Sequence, residues 1–285
     1  SILSESLSLA LLAASIGAAA WFVDAPSWRR AAFLTIILFA FGTARHASAP
    51  QALAIGVCAA ACAMRLVPRA AALVATGAIA VVGFTALHIS AVGGSEMATV
   101  NNIQMRILPD AERRDAFIDA GMPFDAAIAA RSGVLGVDWR NDPALTDWVA
   151  WIRARGQTAY WSAALREPIG FLAMALGDPQ ASRPVNFAIY AGALEPDRPR
   201  PIQAFPREFA PYGLGLAIAL AAALALALSA SARRGGFAVL IAVSGLGAAI
   251  FLHLADAMET TRHAFPGLLQ MQLALAVAAA AASAR

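Results

Sequence analysis

The stretch GGSEMATVNNIQMRILPDAERRDAFIDAG, Gly93–Gly121, interrupts an otherwise apolar chain and opens a polar segment that continues to Tyr212. Its carboxylates, guanidinium groups and backbone would lose water in hydrocarbon without gaining partners, so the segment predicts a lobe at one face of a membrane. On either side the sequence reads as membrane helix after membrane helix. The expected organisation is therefore all-α: four transmembrane helices in 1–92, a mainly helical extracytoplasmic lobe in 93–212, and three more transmembrane helices in 213–285.

Composition supports the membrane class. Hydrophobic residues make up 60% of the chain and charged residues only 14%, with a mean hydropathy of +0.65. A soluble domain carries roughly 25% charged residues. The segment from Ser95 to Pro211 holds 12 Arg against 14 acidic residues, and the remainder holds 9 Arg against 4. Nucleic-acid binding needs a basic face on the soluble part, and here that part is mildly acidic, so this class is excluded. Every basic residue is Arg, which fits a GC-rich bacterial genome. Cys58 and Cys62 stand four apart in an apolar run and read as small packing residues, with no CxxC site or disulfide framework.

Outward from the lobe, the first apolar run is Ile2–Val23, with Glu5 in its first turn, and Trp21 and Trp28 bracket its far end as interfacial anchors. The next runs are Ala31–Ala44, ending at Arg45-His46; Gln51–Met64, ending at Arg65; and Ala70–Val92, with His88 near its end. Beyond the lobe come Gly213–Ala232, Phe237–Ala255 and Gly267–Ala284. If these seven alternate, one side receives Arg29, Arg30, Arg65, Arg69, Arg233, Arg234 and Arg285, while the short loops of the other receive only Arg45 and Arg262. Positive charge resists translocation, so the first side is expected in the cytoplasm and the lobe outside a bacterial cytoplasmic membrane. The chain opens with Ser1 and no charged segment precedes its first apolar run, which is unlike an intact secretory signal; an N-terminal membrane portion or a partner subunit is the expected complement.

Helix punctuation is legible inside the lobe. Pro109-Asp110 predicts a helix running to Gly121, Asn141-Asp142-Pro143 a second ending near Gly156, and Gln157 a third, restarted by Pro168. Trp148, Trp151 and Trp161 recur at helical spacing, as a packed stripe or as a face laid on a partner or membrane. Asn101, Asn102, Gln104 and Arg106 form a polar run, and Asp138-Trp139-Arg140 has the composition of a sugar-facing surface.

The ionisable residues that interrupt the spans gather on the lobe side: Glu5, Arg45, His46, His88, Asp256, Glu259, Arg262 and His263. Charged groups at membrane depth are costly and tend to mark a substrate-lined cavity. Arg45 and Arg262 carry planar forks suited to a phosphate, and His46 or His263 can add a donor or move a proton. Each also has a plain reading, as a solvated loop, a helix cap or a self-paired turn. No Ser-His-Asp arrangement, Gly-rich phosphate loop or metal-ligand spacing is readable, and no cofactor is assigned; a divalent metal stays open.

Ser4-Glu5-Ser6-Leu7-Ser8 opening an apolar span, a following span ending in Ala44-Arg45, and the late Glu259-Thr-Thr-Arg262-His263-Ala-Phe-Pro266 resemble the later half of bacterial GT-C type membrane glycosyltransferases. The resemblance implies transfer of a sugar from a polyprenyl-phosphate donor to an envelope glycan or lipid on the outer face. It implies that Arg45 and Arg262 hold the lipid phosphate, with His46, His263, Glu259, Asp256 and Glu5 nearby, and that the acidic catalytic residue belongs to a preceding outer loop. Two other readings stand beside it. One is a non-enzymatic membrane subunit whose lobe docks a partner protein through the Trp stripe. The other is a transporter, which would want its ionisable residues at mid-membrane.

Overall fold

The computed structural model describes residues 2–45, 48–92, 96–134, 139, 141–177, 232–255 and 260–283. The described residues are helical, with no strand. They form two compact units, one from residues 1–91, 182–249 and 264–285, the other from 92–181 and 250–263.

The first unit is built from α1 (Ile2–Asp24), α2 (Trp28–Ala44), α3 (Ala49–Ala63), α4 (Pro68–Val92), most of α11 (Ala232–Ala255) and most of α12 (Thr260–Ser283). Among the described residues, three stretches are long and apolar enough to cross a membrane: Leu7–Asp24, Pro68–His88 and Arg233–Leu252. With 17 and 15 residues, α2 and α3 fall short of the roughly 20 that a 30 Å core requires. Leu269–Ala282 is likewise a shorter apolar stretch. The expected span Gly213–Ala232 lies almost wholly outside the described residues.

Outward-facing side chains agree with a lipid environment. Ile36 on α2 and Ile79 and Leu87 on α4 are exposed, as are Phe33, Phe39, Phe84 and Val243. In water such a surface would favour aggregation; against acyl chains it costs nothing. Inside, Leu12, Phe22, Leu34, Phe41, Ile55 and Val81 are buried in one cluster.

Apolar burial drives helix association weakly in lipid, so close backbone approach and interhelical hydrogen bonds matter more. At Gly42 an added Cβ would run into Val81, and at Gly267 it would lie 2.6 Å from the Gly245 carbonyl oxygen and 2.5 Å from the Ala249 nitrogen. These contacts let α2 approach α4 and α12 approach α11. The polar links are equally specific. Ser8 Oγ and Ser48 Oγ are 2.8 Å apart. Gln51 Nε2 donates to Gln270 Oε1 at 3.2 Å, and Gln270 Nε2 donates to Ser244 Oγ at 2.8 Å and to the Ile241 carbonyl at 3.2 Å. Gln270→Leu removes all three bonds at once, and at about 0.6 kcal/mol each it is expected to cost about 2 kcal/mol. Unfolding in mixed micelles checks this, with an unchanged midpoint counting against it.

The second unit begins with α5 (Glu96–Asn102), which runs into a π-helical turn, Ile103–Ile107. Then come α6 (Ala111–Asp119), α7 (Ala126–Ala129), a 3-10 turn Pro143–Leu145, α8 (Thr146–Trp151), a second π-helical turn Ile152–Gly156, α9 (Gln157–Arg166) and α10 (Pro168–Gly177). The expected starts are found: Asp110 caps α6 through the Arg113 amide, and Asp142 accepts from the Ala144 amide. Gly121 closes α6's turn with φ +91, a conformation that side chains other than glycine's resist. Gly156 differs from expectation. The helix does not stop there but widens by one π turn and continues into α9. An added Cβ at Gly156 would sit 3.1 Å from Thr99 Cγ2, so this glycine serves a close approach to α5, not a terminus.

Candidate functional site

The second unit's most unusual feature is a buried guanidinium. The polar run Asn101, Asn102, Gln104 and Arg106 is not solvated surface: all four side chains are buried, Arg106 at 7% exposure. The apolar residues beside them, Val100, Ile103 and Ile107, are fully buried in one cluster with Trp148, Ile152, Tyr160 and Phe171. The π turn places Arg106 one widened turn after Asn102, and Arg106 Nη1 donates to Asn102 Oδ1 at 2.7 Å.

The same nitrogen donates to the Leu254 carbonyl at 2.9 Å and to the Tyr160 hydroxyl at 3.2 Å. Tyr160 in turn donates to Leu254 O at 2.9 Å, and Asn102 Nδ2 donates to Ala255 O at 2.9 Å. Three side chains thus take up the last two carbonyls of α11. The C-terminal end of a helix is partially negative and leaves its final carbonyls unbonded, so a cation there serves as both cap and counter-charge. Trp161 stacks on Phe251 of the same helix end, with ring centroids 5.4 Å apart and planes inclined by 12°. The segment that follows this pinned end contains Asp256, Glu259, Arg262 and His263.

Of the residues that sequence reasoning placed in a site, His46, Asp256 and Glu259 lie outside the described residues. Arg262 and His263 stand in the first turn of α12, and Glu5 in the first turn of α1. Arg45 is half-buried and ends α2 in extended backbone, φ −150 and ψ 140. His88 is exposed near the end of α4. Asp138 and Arg140 also lie outside the described residues, while Trp139 between them is buried. Among the described residues no group of three His, Cys, Asp or Glu is placed to hold a metal.

The Trp stripe belongs to the core. Trp148 is fully buried, Trp151 nearly so and set edge-on to Phe117, and Trp161 is half-buried against Tyr160 and Phe251. These rings do not offer a free docking face. The apolar side chains left exposed on this unit are others, chiefly Leu165 and Ile169 at the α9–α10 corner.

Sequence reasoning missed the Arg106 cap, although one signal was present. Asn102 and Arg106 are four apart and flanked by Val100, Ile103 and Ile107, which is the pattern of a buried helix face carrying an internal polar pair. The partners at Leu254 and Ala255 are main-chain atoms and leave no trace in residue type. No family model, curated protein or solved structure matches the chain.

Proposed function

We propose that the chain is the distal part of a membrane glycosyltransferase that moves a sugar from a polyprenyl-phosphate donor to an envelope glycan or lipid. In this reading seven spans cross a bacterial cytoplasmic membrane and the lobe faces outward. The observation that supports it best is the placement of Arg262 and His263 in the first turn of the 24-residue helix α12. A helix start offers unbonded amides and partial positive charge, and a guanidinium beside it adds a two-pronged donor for a phosphate. The Arg106 cap holds the end of α11, four residues short of the start of α12 in the sequence.

The test is transfer from a polyprenyl-phosphate sugar by the protein in its native membrane, with the complement that carries the catalytic acid present. Arg262→Ala is expected to lower transfer at least about tenfold, since one lost charged contact is worth about 1.5 kcal/mol or more at the transition state. Detergent-extracted protein should elute as a single folded species in both cases. Undiminished transfer by the variant would rule out the phosphate grip.

A further inference from the structure

One end of the first unit carries a concentration of arginine that its described residues neutralise only in part. The level of that end can be worked out from helix geometry. The Ser8–Ser48 hydrogen bond sets α1 and α3 side by side near their starts. From there Asp24 lies about 24 Å along α1 and Ala63 about 22 Å along α3, at 1.5 Å per residue, so both helices finish within one turn of the same height. A tight turn, with Leu66 and Val67 amides donating to the Ala63 carbonyl, leads straight into α4. Arg233 Nη2 donates to the Asp24 carbonyl at 2.6 Å, which brings the start of α11 to the same end. Six arginines therefore share one face, Arg29, Arg30, Arg65, Arg69, Arg233 and Arg234, with Asp24 as their acidic neighbour in those turns.

The six divide into two kinds. Arg30 lies over the Trp21 ring, 4.5 Å from its centroid, and donates to the Trp21 carbonyl at 2.7 Å. Arg234 pairs with the Asp24 carboxylate, and Arg233 holds the neighbouring carbonyl. These three hold the helix ends together. Arg29, Arg65 and Arg69 are exposed and make no hydrogen bond or ion pair among the described residues. Beside them stand exposed Trp21, Trp28, Met64 and Leu66. Apolar and indole side chains interleaved with unpaired guanidinium groups match the boundary where acyl chains give way to phosphates.

We propose that this face is a docking surface for anionic phospholipid headgroups, with Arg29, Arg65 and Arg69 as its phosphate contacts and Trp21 and Trp28 seated at the level of the lipid backbone. The inference stands apart from the donor site proposed above, because it uses none of that site's residues.

The experiment uses the full chain in nanodiscs of phosphatidylcholine alone or mixed with phosphatidylglycerol, and reads the lipids retained on the protein by native mass spectrometry after mild extraction. Wild-type protein is expected to retain phosphatidylglycerol preferentially. The triple variant Arg29→Gln, Arg65→Gln, Arg69→Gln should lose that preference, by about fivefold per arginine. The matching triple lysine variant keeps the charge and should keep most of the preference, which separates a lipid-binding loss from a folding defect. Equal retention of both lipids by the wild type, or an undiminished preference in the glutamine variant, would overturn the proposal. So would displacement of the preference by inorganic phosphate, which would make the occupant a free anion and not a bilayer. Loss of preference in the lysine variant as well would also count against a headgroup surface, since that outcome points to helix-end packing.

Discussion

Arg106→Met is expected to destabilise the second unit by about 3 kcal/mol, more than any other single change among its described polar residues. Hydrogen bonds to a charged donor are worth about 1.5–3 kcal/mol each, and the two N–H hydrogens of Arg106 Nη1 are shared among three acceptors. Against this stands the cost of keeping a guanidinium out of water, several kcal/mol, which the substitution relieves. The loss wins because the acceptors stay behind: Asn102 Oδ1 loses the Arg106 donor, and the end of α11 loses its counter-charge. Tyr160→Phe should cost only about 1 kcal/mol, because Leu254 O keeps Arg106. Hydrogen exchange in peptides covering 96–107 and 250–255 reads both variants. Faster exchange should appear in the two segments together for Arg106→Met. Wild-type protection there would show that the guanidinium is dispensable to the cap.

Gly267→Ala is expected to weaken the α11–α12 pair by about 2 kcal/mol, the larger of two opposed effects. Alanine favours a helix over glycine by about 1 kcal/mol. The new methyl, however, would meet backbone atoms of Gly245 and Ala249 at 2.5–2.8 Å, and backbone cannot step aside as a side chain can. Overpacking of this kind costs about 1–3 kcal/mol, and the lost approach also forfeits dispersion contacts that lipid does not replace. Gly247→Ala is the natural comparison, since nothing lies within 4 Å of its added Cβ, and it should be neutral or slightly stabilising. Denaturation in mixed micelles separates them. Equal midpoints for the two variants would refute the close-packing account.

The sequence carried some levels of this structure openly and others not at all. Helix starts were legible at Asp110 and Asp142, where a short polar side chain precedes the first turn, because capping is local chemistry between neighbours; Asp125 caps α7 in the same way and was not read. The stop expected at Gly156 was misread because glycine serves two purposes, ending helices and letting them touch. Only the position of Thr99, more than fifty residues earlier, shows which purpose applies. The Trp stripe had a packed reading and a docking reading with identical spacing, and Phe117 and Phe251 decide for packing. For the candidate site, residue type suggested phosphate-binding forks at Arg45 and Arg262. The buried guanidinium at Arg106 escaped notice because its partners are carbonyl oxygens, which every residue possesses.

The chain enters the second unit twice, first with residues 92–181 and again with 250–263. Anyone wishing to express the polar region by itself would naturally excise 93–212 as one piece. That excision discards Leu254 and Ala255, the acceptors of Arg106, Tyr160 and Asn102, and Phe251, on which Trp161 stacks. The isolated product would hold a cation in an apolar interior with its main-chain acceptors removed. A soluble version would have to be a permuted chimera in which a linker joins 250–263 back onto the excised piece.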